Sequence, residues 1–318
     1  MADTLVFARV EAIVCEANGP LRRNIRDLLR QLGFGEVSLH GHPAECLPQL
    51  ERGPVDLLIC DHQADTDAGT ELVHGIRHQA IDNNPFVVSV TTMHHQPGNE
   101  GKRALGRAVN SGTDMLLVKP FTSATFADRI YSIASKRKPF VATADYIGPT
   151  RRQKPRNRRE RMMEFPVPNP VKEIAGGMSR EVVSARIRKS STFLNQRKLH
   201  FDITEIEIRA DEVRDAMVRG IDGETIRNAL DRLRAATSDI QRRNAKDAAP
   251  HVSELCKWMF GVADRIESGP SDLDARILAV IPRIVAGFRV ALNSKGGGNP
   301  DGGKQRNDPD SGGGPKRA

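Results

Sequence analysis

The sequence lacks any long hydrophobic run. No stretch of its 318 residues approaches the roughly 18 consecutive apolar residues that a membrane-spanning helix needs. The first residues, MADTLVFARV, lack the basic region and apolar core that are typical of a signal peptide. Hydrophobic residues make up 38% of the chain and charged residues 28%, which is ordinary for globular protein with room for two domains. We therefore expect a cytoplasmic protein without membrane contact.

Cysteine is also scarce, and its spacing excludes two kinds of small domain. The four cysteines, Cys15, Cys46, Cys60 and Cys256, stand far apart and include no CxxC pair. Neither a structural zinc site nor a disulfide framework is indicated, because both need closely grouped cysteines. We expect four reduced thiols.

The positive charge is confined to the second half of the chain. Residues 1–140 hold 15 Lys and Arg against 16 Asp and Glu, whereas residues 141–318 hold 33 against 24. Seven of these cationic residues lie in the run RRQKPRNRRER, Arg151 to Arg161. Such a run is typical of a solvated linker, although it could also bind nucleic acid phosphates. No zinc finger, pair of recognition helices or aromatic stacking platform accompanies it, so no nucleic acid partner is expected.

Apolar runs and helical patterns alternate five times between Arg9 and Lys136. The apolar runs VEAIVC, VSL, VDLLIC, PFVVSV and MLLV are continuous rather than alternating, as buried strands of a parallel sheet require. The pattern predicts a doubly wound α/β fold with a five-stranded parallel sheet. Such folds carry their site at the carboxyl ends of the strands.

The second half has the periodicity of helices. From Leu199 to Met217 apolar residues recur at steps of three and four, which predicts a helix with one apolar stripe. Further helices are predicted at about 223–244, 251–267 and 271–293, the last with a kink at Pro282. The stripe is either the core of a bundle or a dimer seam, and we favour a seam shared with core packing. Its members are Leu199, Ile203, Ile206, Ala210, Val213 and Met217.

Charged and hydroxyl side chains follow the predicted strands where these leave the core. Asp61 ends VDLLICD, Glu16 follows the first strand, and Lys119 follows the fifth. Thr91 and Thr92 end the fourth strand. Because the ends of parallel strands meet at one edge of the sheet, these residues should converge.

This set of residues suits phosphoryl transfer. A carboxylate can attack a phosphoryl group and become an aspartyl phosphate, while a lysine and a divalent metal neutralise charge on the transferring oxygens. Mg²⁺ asks for only one or two carboxylates and keeps several waters. A hydroxyl that then binds the phosphate can move the adjoining loop.

At these residues the chain resembles the receiver domain of two-component response regulators. The matching segments are IVCEANGPLRRNIRDLLRQLGF, DLLICDHQADTDAGTEL, VVSVTT and LVKPF, in the order expected of that family. A narrower likeness, in NPFVVSVTT, SGTDMLLVKPFT and KPFVATADYIGPTRR, is to receiver proteins of alphaproteobacterial type that carry a helical extension without a familiar DNA-binding module.

The resemblance implies a role for each strand-end residue. It makes Asp61 the phosphoacceptor and Lys119 the lysine that contacts the phosphate. Glu16, Asp61 and the main-chain carbonyl of Gln63 become the Mg²⁺ ligands. Thr91 becomes the switch hydroxyl, with Thr92 as the alternative.

The chain departs from the family pattern at several positions. Ala17 stands where a second acid would bind the metal more directly, so Mg²⁺ affinity should be weak. Leu116 replaces the aromatic switch residue three positions before the lysine. In the loop after Asp61, Asp65 and Ala68 replace the usual proline and aspartate, although Gly69 is kept.

These observations predict four segments. They are a receiver domain at 8–138, a basic proline-containing linker at 139–177, a helical output and dimerisation domain at 178–293, and a disordered tail at 294–318. The predicted function is that of a response regulator that is not a turnover enzyme. It would receive phosphate from a histidine kinase or histidine phosphotransfer protein and relay it by protein contacts.

Three other functions remain open. The domain could be a pseudo-receiver scaffold that Ala17 has deprived of metal binding, or the chain could be a DNA-binding transcriptional regulator. A phosphotransfer bundle would need an exposed helical histidine such as His200 or His251, but neither has the flanking pattern of one. The pairs His40 with His42 and His94 with His95 lack a third ligand, so we expect solvated loops there.

Overall fold

A computed structural model of the chain describes residues 5–62, 66–151, 164–219, 223–245, 250–268 and 275–293. Gln63, the run 152–161, residues 271–274 and the tail 294–318 lie outside the described residues. Residue contacts divide the chain into two compact units, residues 1–201 and 202–318. This division differs from the predicted boundaries at 138 and 177.

The first unit contains the predicted five-stranded parallel sheet, in the order β2-β1-β3-β4-β5. A helix follows each strand, so the doubly wound α/β fold is confirmed. The strands are β1 Glu11–Cys15, β2 Glu36–His40, β3 Leu57–Asp61, β4 Val88–His94 and β5 Met115–Lys119. The helices are α1 Gly19–Gln31, α2 Pro43–Arg52, α3 Ala68–Arg77, α4 Gly98–Asn110 and α5 Ser123–Ser135.

The central strand β3 is buried on both faces, as its continuous apolar run predicts. Leu57 and Ile59 belong to a core shared with α1 and α5, whereas Leu58 and Cys60 belong to a core shared with α2 and α3. Alternation along a strand sends neighbouring side chains to opposite faces. The strand therefore delivers Asp61 to the carboxyl edge with a fixed orientation.

The helix α1 begins directly beside this edge. Asn18 caps it by accepting a hydrogen bond from the Leu21 main-chain N–H at 2.9 Å. Pro20 lies in the first turn, where a missing N–H costs nothing. Ile25 and Leu29 then face the core. This start fixes the short connection from β1 that carries Glu16.

The predicted linker at 139–177 contains secondary structure of its own wherever it is described. Strands β6 Phe140–Ala142 and β7 Ile147–Pro149 form an antiparallel pair, and helix α6 spans Pro170–Ala175. The side chains of Phe140, Phe165 and Val171 are at most 5% exposed. The described part of this segment is thus packed on the five-stranded α/β fold rather than solvated.

A buried ionic cluster ties this extension to the sheet. Asp114 accepts hydrogen bonds from Arg77 and Arg137, each at 2.8 Å, and all three side chains are at most 3% exposed. Both guanidinium groups also lie over the ring of Phe140, at 5.3 and 4.8 Å from its centroid. The cation–π contacts place Phe140 between α3 and the chain that leaves α5.

The second unit is helical. Helix α7 spans Arg180–Arg219 and runs through the boundary at residue 201, and the residues described after it form three more helices. They are α8 Gly223–Ala245, α9 Pro250–Glu267 and α10 Ala275–Asn293, close to the predicted ranges. Pro282 lies inside α10. Among the described residues, no helix is both long enough and apolar enough to cross a bilayer.

The predicted apolar stripe is core within one chain. Ile203, Ile206, Ala210 and Val213 are 0–8% exposed, and Leu199 and Met217 at its ends are half-buried. The preferred interpretation as a dimer seam is therefore wrong for the central residues, because the chain itself already covers them. The alternative that the sequence left open, a bundle core, is what the structure has.

Candidate functional site

The predicted site residues meet at the carboxyl edge of the sheet. Parallel pairing places Cys15 opposite Cys60, and Asp61 opposite Thr92. Glu16 follows β1 directly, and Lys119 ends β5. The convergence that the strand ends predict is therefore observed for Glu16, Asp61 and Lys119.

Lys119 joins the two carboxylates. Its Nζ lies 2.6 Å from Glu16 Oε2 and 2.6 Å from Asp61 Oδ1, which is the length of a strong charge-assisted bond. The side chains of Glu16 and Lys119 are 3% and 4% exposed, whereas that of Asp61 is 13% exposed. Asp61 is therefore the member of the triad that solvent or a donor can reach.

Glu16 is held in place by the start of α1. Its Oε1 accepts the Asn18 main-chain N–H at 3.0 Å, and its main-chain oxygen accepts a hydrogen bond from Arg22 at 2.5 Å. One carboxylate oxygen thus faces α1 while the other faces Lys119. Glu16 and Asp61 therefore hold the Lys119 ammonium between them.

Of the two threonines at the end of β4, the structure brings Thr92 rather than Thr91 to Asp61. Thr92 Oγ1 donates to Asp61 Oδ1 at 3.3 Å, whereas Thr91 Oγ1 donates to Thr113 Oγ1 at 2.9 Å. Successive residues of a strand point to opposite faces, so only one of them can face Asp61. The hydroxyl at the site is Thr92, and Thr91 belongs to the buried polar contacts between β4 and the start of β5.

The carboxylate of Asp61 has one oxygen still to offer. The bonds from Lys119 and Thr92 both fall on Oδ1, so Oδ2 has no donor within the part of the chain that the structure describes. An oxygen that keeps its lone pairs can attack an electrophile, while Lys119 neutralises the charge beside it.

The donor set meets the minimum requirement of Mg²⁺. Glu16 and Asp61 supply two carboxylates, and both form ion pairs with Lys119. Mg²⁺ can take its remaining ligands from water. Ala17 contributes no oxygen from its side chain, and Gln63 lies outside the described residues. Within the described ranges, no group of three or more His, Cys, Asp or Glu is arranged to hold a metal.

The position of the missing aromatic residue has a different role. Leu116 is half-buried and packs against Met93 of β4 and against Ala104 and Ala108 of α4. The leucine therefore fastens β5 to α4 by apolar contact. A side chain packed in this way offers no polar group to carry a change at Asp61 outward.

His62 lies directly after Asp61, beside the site, and the sequence did not indicate its contacts. Its ring is buried, with Nδ1 2.6 Å from Thr70 Oγ1. Its Nε2 lies 3.5 Å from Asp67 Oδ1, which is longer than a good hydrogen bond, and Asp67 pairs with Arg107 of α4. Burial lowers the pKa of His62, and the carboxylate of Asp67 opposes that shift. The only signal for it was its place directly after Asp61.

Comparison with known proteins agrees with this geometry. Residues 12–131 match the family model described as the response regulator receiver domain. This segment is a receiver domain. The receiver domain holds Glu16, Asp61, Thr92 and Lys119, whereas α6 to α10 lie outside the matched residues.

Relatives of the receiver domain include chemotaxis proteins. The chain is 25% identical over 132 residues to chemotaxis protein CheY-3 of Vibrio cholerae, covering 96% of that protein and 41% of this chain. It is 27% identical over 125 residues to chemotaxis protein CheY of Pseudomonas aeruginosa, covering 95% of it and 39% of this chain. Nearly the whole of each relative is thus covered by about two fifths of this chain.

Solved structures match about two fifths of the chain. A response regulator from Thermotoga maritima aligns with a TM-score of 0.34 at 19% identity, over 98% of that chain and 40% of this one. Chemotaxis response regulator CheY4 of Vibrio cholerae aligns with a TM-score of 0.33 at 20% identity, over 97% of that chain and 39% of this one.

Proposed function

We propose that the chain is a cytoplasmic response regulator in which Asp61 accepts a phosphoryl group from a histidine kinase or a histidine phosphotransfer protein. The observation that carries the proposal is Lys119, whose ammonium lies 2.6 Å from both Asp61 and Glu16 at the exposed edge of a receiver sheet. A cation held beside a reachable carboxylate is what phosphoryl transfer to that carboxylate needs.

The chemical step is a displacement at phosphorus. A carboxylate oxygen of Asp61 forms a bond to the phosphorus of a phosphohistidine as the P–N bond breaks. The imidazole leaves with the bonding electron pair and takes a proton from solvent. Lys119 and the hydroxyl of Thr92 donate hydrogen bonds to the oxygens that gain charge. Mg²⁺, held by Glu16 and Asp61 when bound, would supply further charge neutralisation.

The proposal describes a signalling protein rather than a turnover enzyme, because Asp61 itself is modified. Once Lys119 and Thr92 bind the phosphoryl oxygens, their bonds to the unmodified carboxylate are lost. This exchange would shift the end of β4 and the start of α4. The helical part of the chain would then relay the change by contacts with other proteins.

Incubation with acetyl phosphate and Mg²⁺ tests the proposal. We expect one acid-labile phosphoryl group per chain, detected by intact mass and by gel shift, and none on Asp61→Asn. Asp67→Asn is a matched control, because it removes an acid from the same edge of the sheet. Asp67 is paired with Arg107 and does not end a strand. Phosphate that persists in Asp61→Asn would overturn the assignment.

A scaffold that works without phosphate is the second candidate. It is favoured by Ala17, and by the fact that Lys119 already satisfies one oxygen of each carboxylate. Failure of both acetyl phosphate and a panel of phosphorylated kinases to modify the folded chain would favour this function instead.

A further inference from the structure

Three of the four cysteines meet inside the receiver domain. Parallel pairing sets Cys15 of β1 opposite Cys60 of β3, and Cys46 of α2 lies in the same apolar core. The thiol of Cys15 is hydrogen-bonded to both of the others. All three side chains are at most 1% exposed. This thiol cluster lies directly below the candidate site, because Cys15 precedes Glu16 and Cys60 precedes Asp61.

Thiols in contact have two common uses in proteins, as ligands of a soft metal and as partners in a disulfide. Within the part of the chain that the structure describes, no group of three or more His, Cys, Asp or Glu is arranged to hold a metal ion. Disulfide chemistry is therefore the use that the thiol cluster supports.

The better partner for Cys15 is Cys46 rather than Cys60. Neighbouring strands lie about 4.8 Å apart, and β-carbons directly opposite in a parallel pair keep about that separation. A disulfide needs β-carbons about 3.8 Å apart. Cys60 is also confined, because its Sγ lies 3.6 Å from the Asp61 main-chain oxygen and a β-carbon on Gly69 would come within 3.0 Å of it. Cys46 belongs to a helix, which can shift against the sheet as the bond forms.

Helix α2 packs over the thiol cluster and has an interruption in its hydrogen bonds. Pro48 lies inside this ten-residue helix and has no N–H to donate to the preceding turn. A short helix that lacks a backbone hydrogen bond costs less to open than the central strands of a sheet. Local opening of α2 would let a small oxidant reach thiols that the closed fold buries.

We propose that Cys15 and Cys46 are a reversible oxidation site, at which hydrogen peroxide converts two thiols of the folded chain into one intramolecular disulfide. The sulfur of Cys15 attacks an oxygen of the peroxide, the O–O bond breaks, and the thiol proton leaves with the hydroxide as water. The sulfur of Cys46 then displaces hydroxide from the sulfenic acid, its own proton completes a second water, and the S–S bond forms. Two thiols are thus oxidised while one peroxide is reduced to two waters.

The full chain, reduced and then freed of reductant, provides the test without any phosphodonor, since the proposal does not depend on Asp61. After treatment with peroxide, we expect the intact mass to fall by two hydrogen atoms. Thiols that react with an alkylating reagent in denaturant should fall from four to two. Peptide mapping should join Cys15 to Cys46, and dithiothreitol should restore all four thiols.

Cys46→Ala and Cys256→Ala form a matched pair, because each removes one buried thiol. Cys46→Ala should form no disulfide and should leave a sulfenic acid on Cys15 that dimedone traps. Cys256→Ala should form the same disulfide as the unmodified chain. The peptide map of the unmodified chain does not depend on how well either variant folds.

Three results would overturn the proposal. The first is a folded chain that keeps four free thiols after peroxide. The second is a map that joins Cys15 to Cys60. The third is a Cys15–Cys46 bond that forms only in urea, because the two thiols would then meet in the unfolded chain and not in the fold.

Discussion

Gly69 lies against the main-chain oxygen of Asp61 so closely that a β-carbon would come within 1.7 Å of it and 3.0 Å from Cys60 Sγ. Gly69 is the second residue of α3, and Asp61 ends β3. No side chain larger than hydrogen fits between them. The start of α3 and the end of β3 are therefore held at one distance by the absence of a side chain.

Replacing Gly69 by alanine should damage the site without removing any of its functional groups. The methyl group must displace either α3 or Asp61, so we expect a loss of about 1–3 kcal/mol in the free energy of unfolding, as in other overpacked cores. Phosphorylation of Asp61 by acetyl phosphate should slow at least roughly 10-fold, because a small misplacement of a reacting group is costly. Urea unfolding and time courses of intact mass measure the two effects.

Gly106→Ala is the matched control, because a β-carbon there meets nothing within 4 Å and alanine favours a helix. It should leave both quantities unchanged or raise stability slightly. If Gly69→Ala phosphorylates at the rate of the unmodified chain, the close contact between α3 and Asp61 does not set the geometry of the site.

The two neighbouring threonines should have separable effects. Thr92→Ala removes the hydroxyl bonded to Asp61 and should slow phosphorylation about 100-fold, at the lower end of what losing a charge-stabilising donor costs. Thr92→Ser should restore the rate. Thr91→Ala should instead lower stability by about 1 kcal/mol through the lost bond to Thr113 and leave the rate within about 2-fold. The opposite pattern would return the switch role to Thr91.

The sequence predicts the strands of the receiver domain better than it predicts orientation at their ends. Continuous apolar runs reveal which segments are buried, and the strand-end residues then follow. The apolar runs do not reveal which of two adjacent threonines faces Asp61. A shift of one residue in strand pairing turns every side chain of the strand to the opposite face of the sheet. That choice depends on the register between β3 and β4, which places Asp61 opposite Thr92.

The remaining differences concern burial that is decided by distant parts of the chain. The segment 139–177 reads as a linker because its apolar residues are few and separated by prolines and charges. Its phenylalanines are nevertheless buried, since Arg77 and Arg137 lie over Phe140 and Phe86 packs against it. Likewise, the stripe from Leu199 to Met217 predicts a buried face but not whether the same chain or a second one buries it.

The cluster around Asp114 should govern acid stability. Burial alone would raise the pKa of this carboxyl, but Arg137 and Arg77 outweigh it, so the pKa lies below its ordinary value. The stabilisation that this carboxylate contributes is therefore complete above the ordinary aspartate pKa of about 4 and is lost as pH falls through the lower folded value. Urea unfolding from pH 7 down to pH 2 should show this loss.

Asp114→Asn should remove that part of the acid dependence and cost about 3–5 kcal/mol at pH 7, because it leaves two buried guanidinium groups without an anion. Asp128→Asn, at an exposed position of α5, should change neither the free energy of unfolding at pH 7 nor its decrease at low pH. An Asp114→Asn chain as stable as the unmodified one at pH 7 would mean that the ionic cluster is not what holds the extension to the sheet.

Ala17 offers the sharpest test of the metal site. Glu16 and Asp61 share one lysine, so the triad carries a single net negative charge and attracts a divalent cation weakly. Ala17→Asp adds a carboxylate next to Glu16 at an exposed position and doubles that charge. We expect Mg²⁺ to bind at least ~10-fold more tightly in a calorimetric titration, with no need for a phosphodonor.

Asn18→Asp is the control, since it adds the same charge one residue later, on a side chain that caps α1 by accepting the Leu21 N–H. If the two variants bind Mg²⁺ equally, the gain comes from net charge alone, and residue 17 does not lie at the metal position.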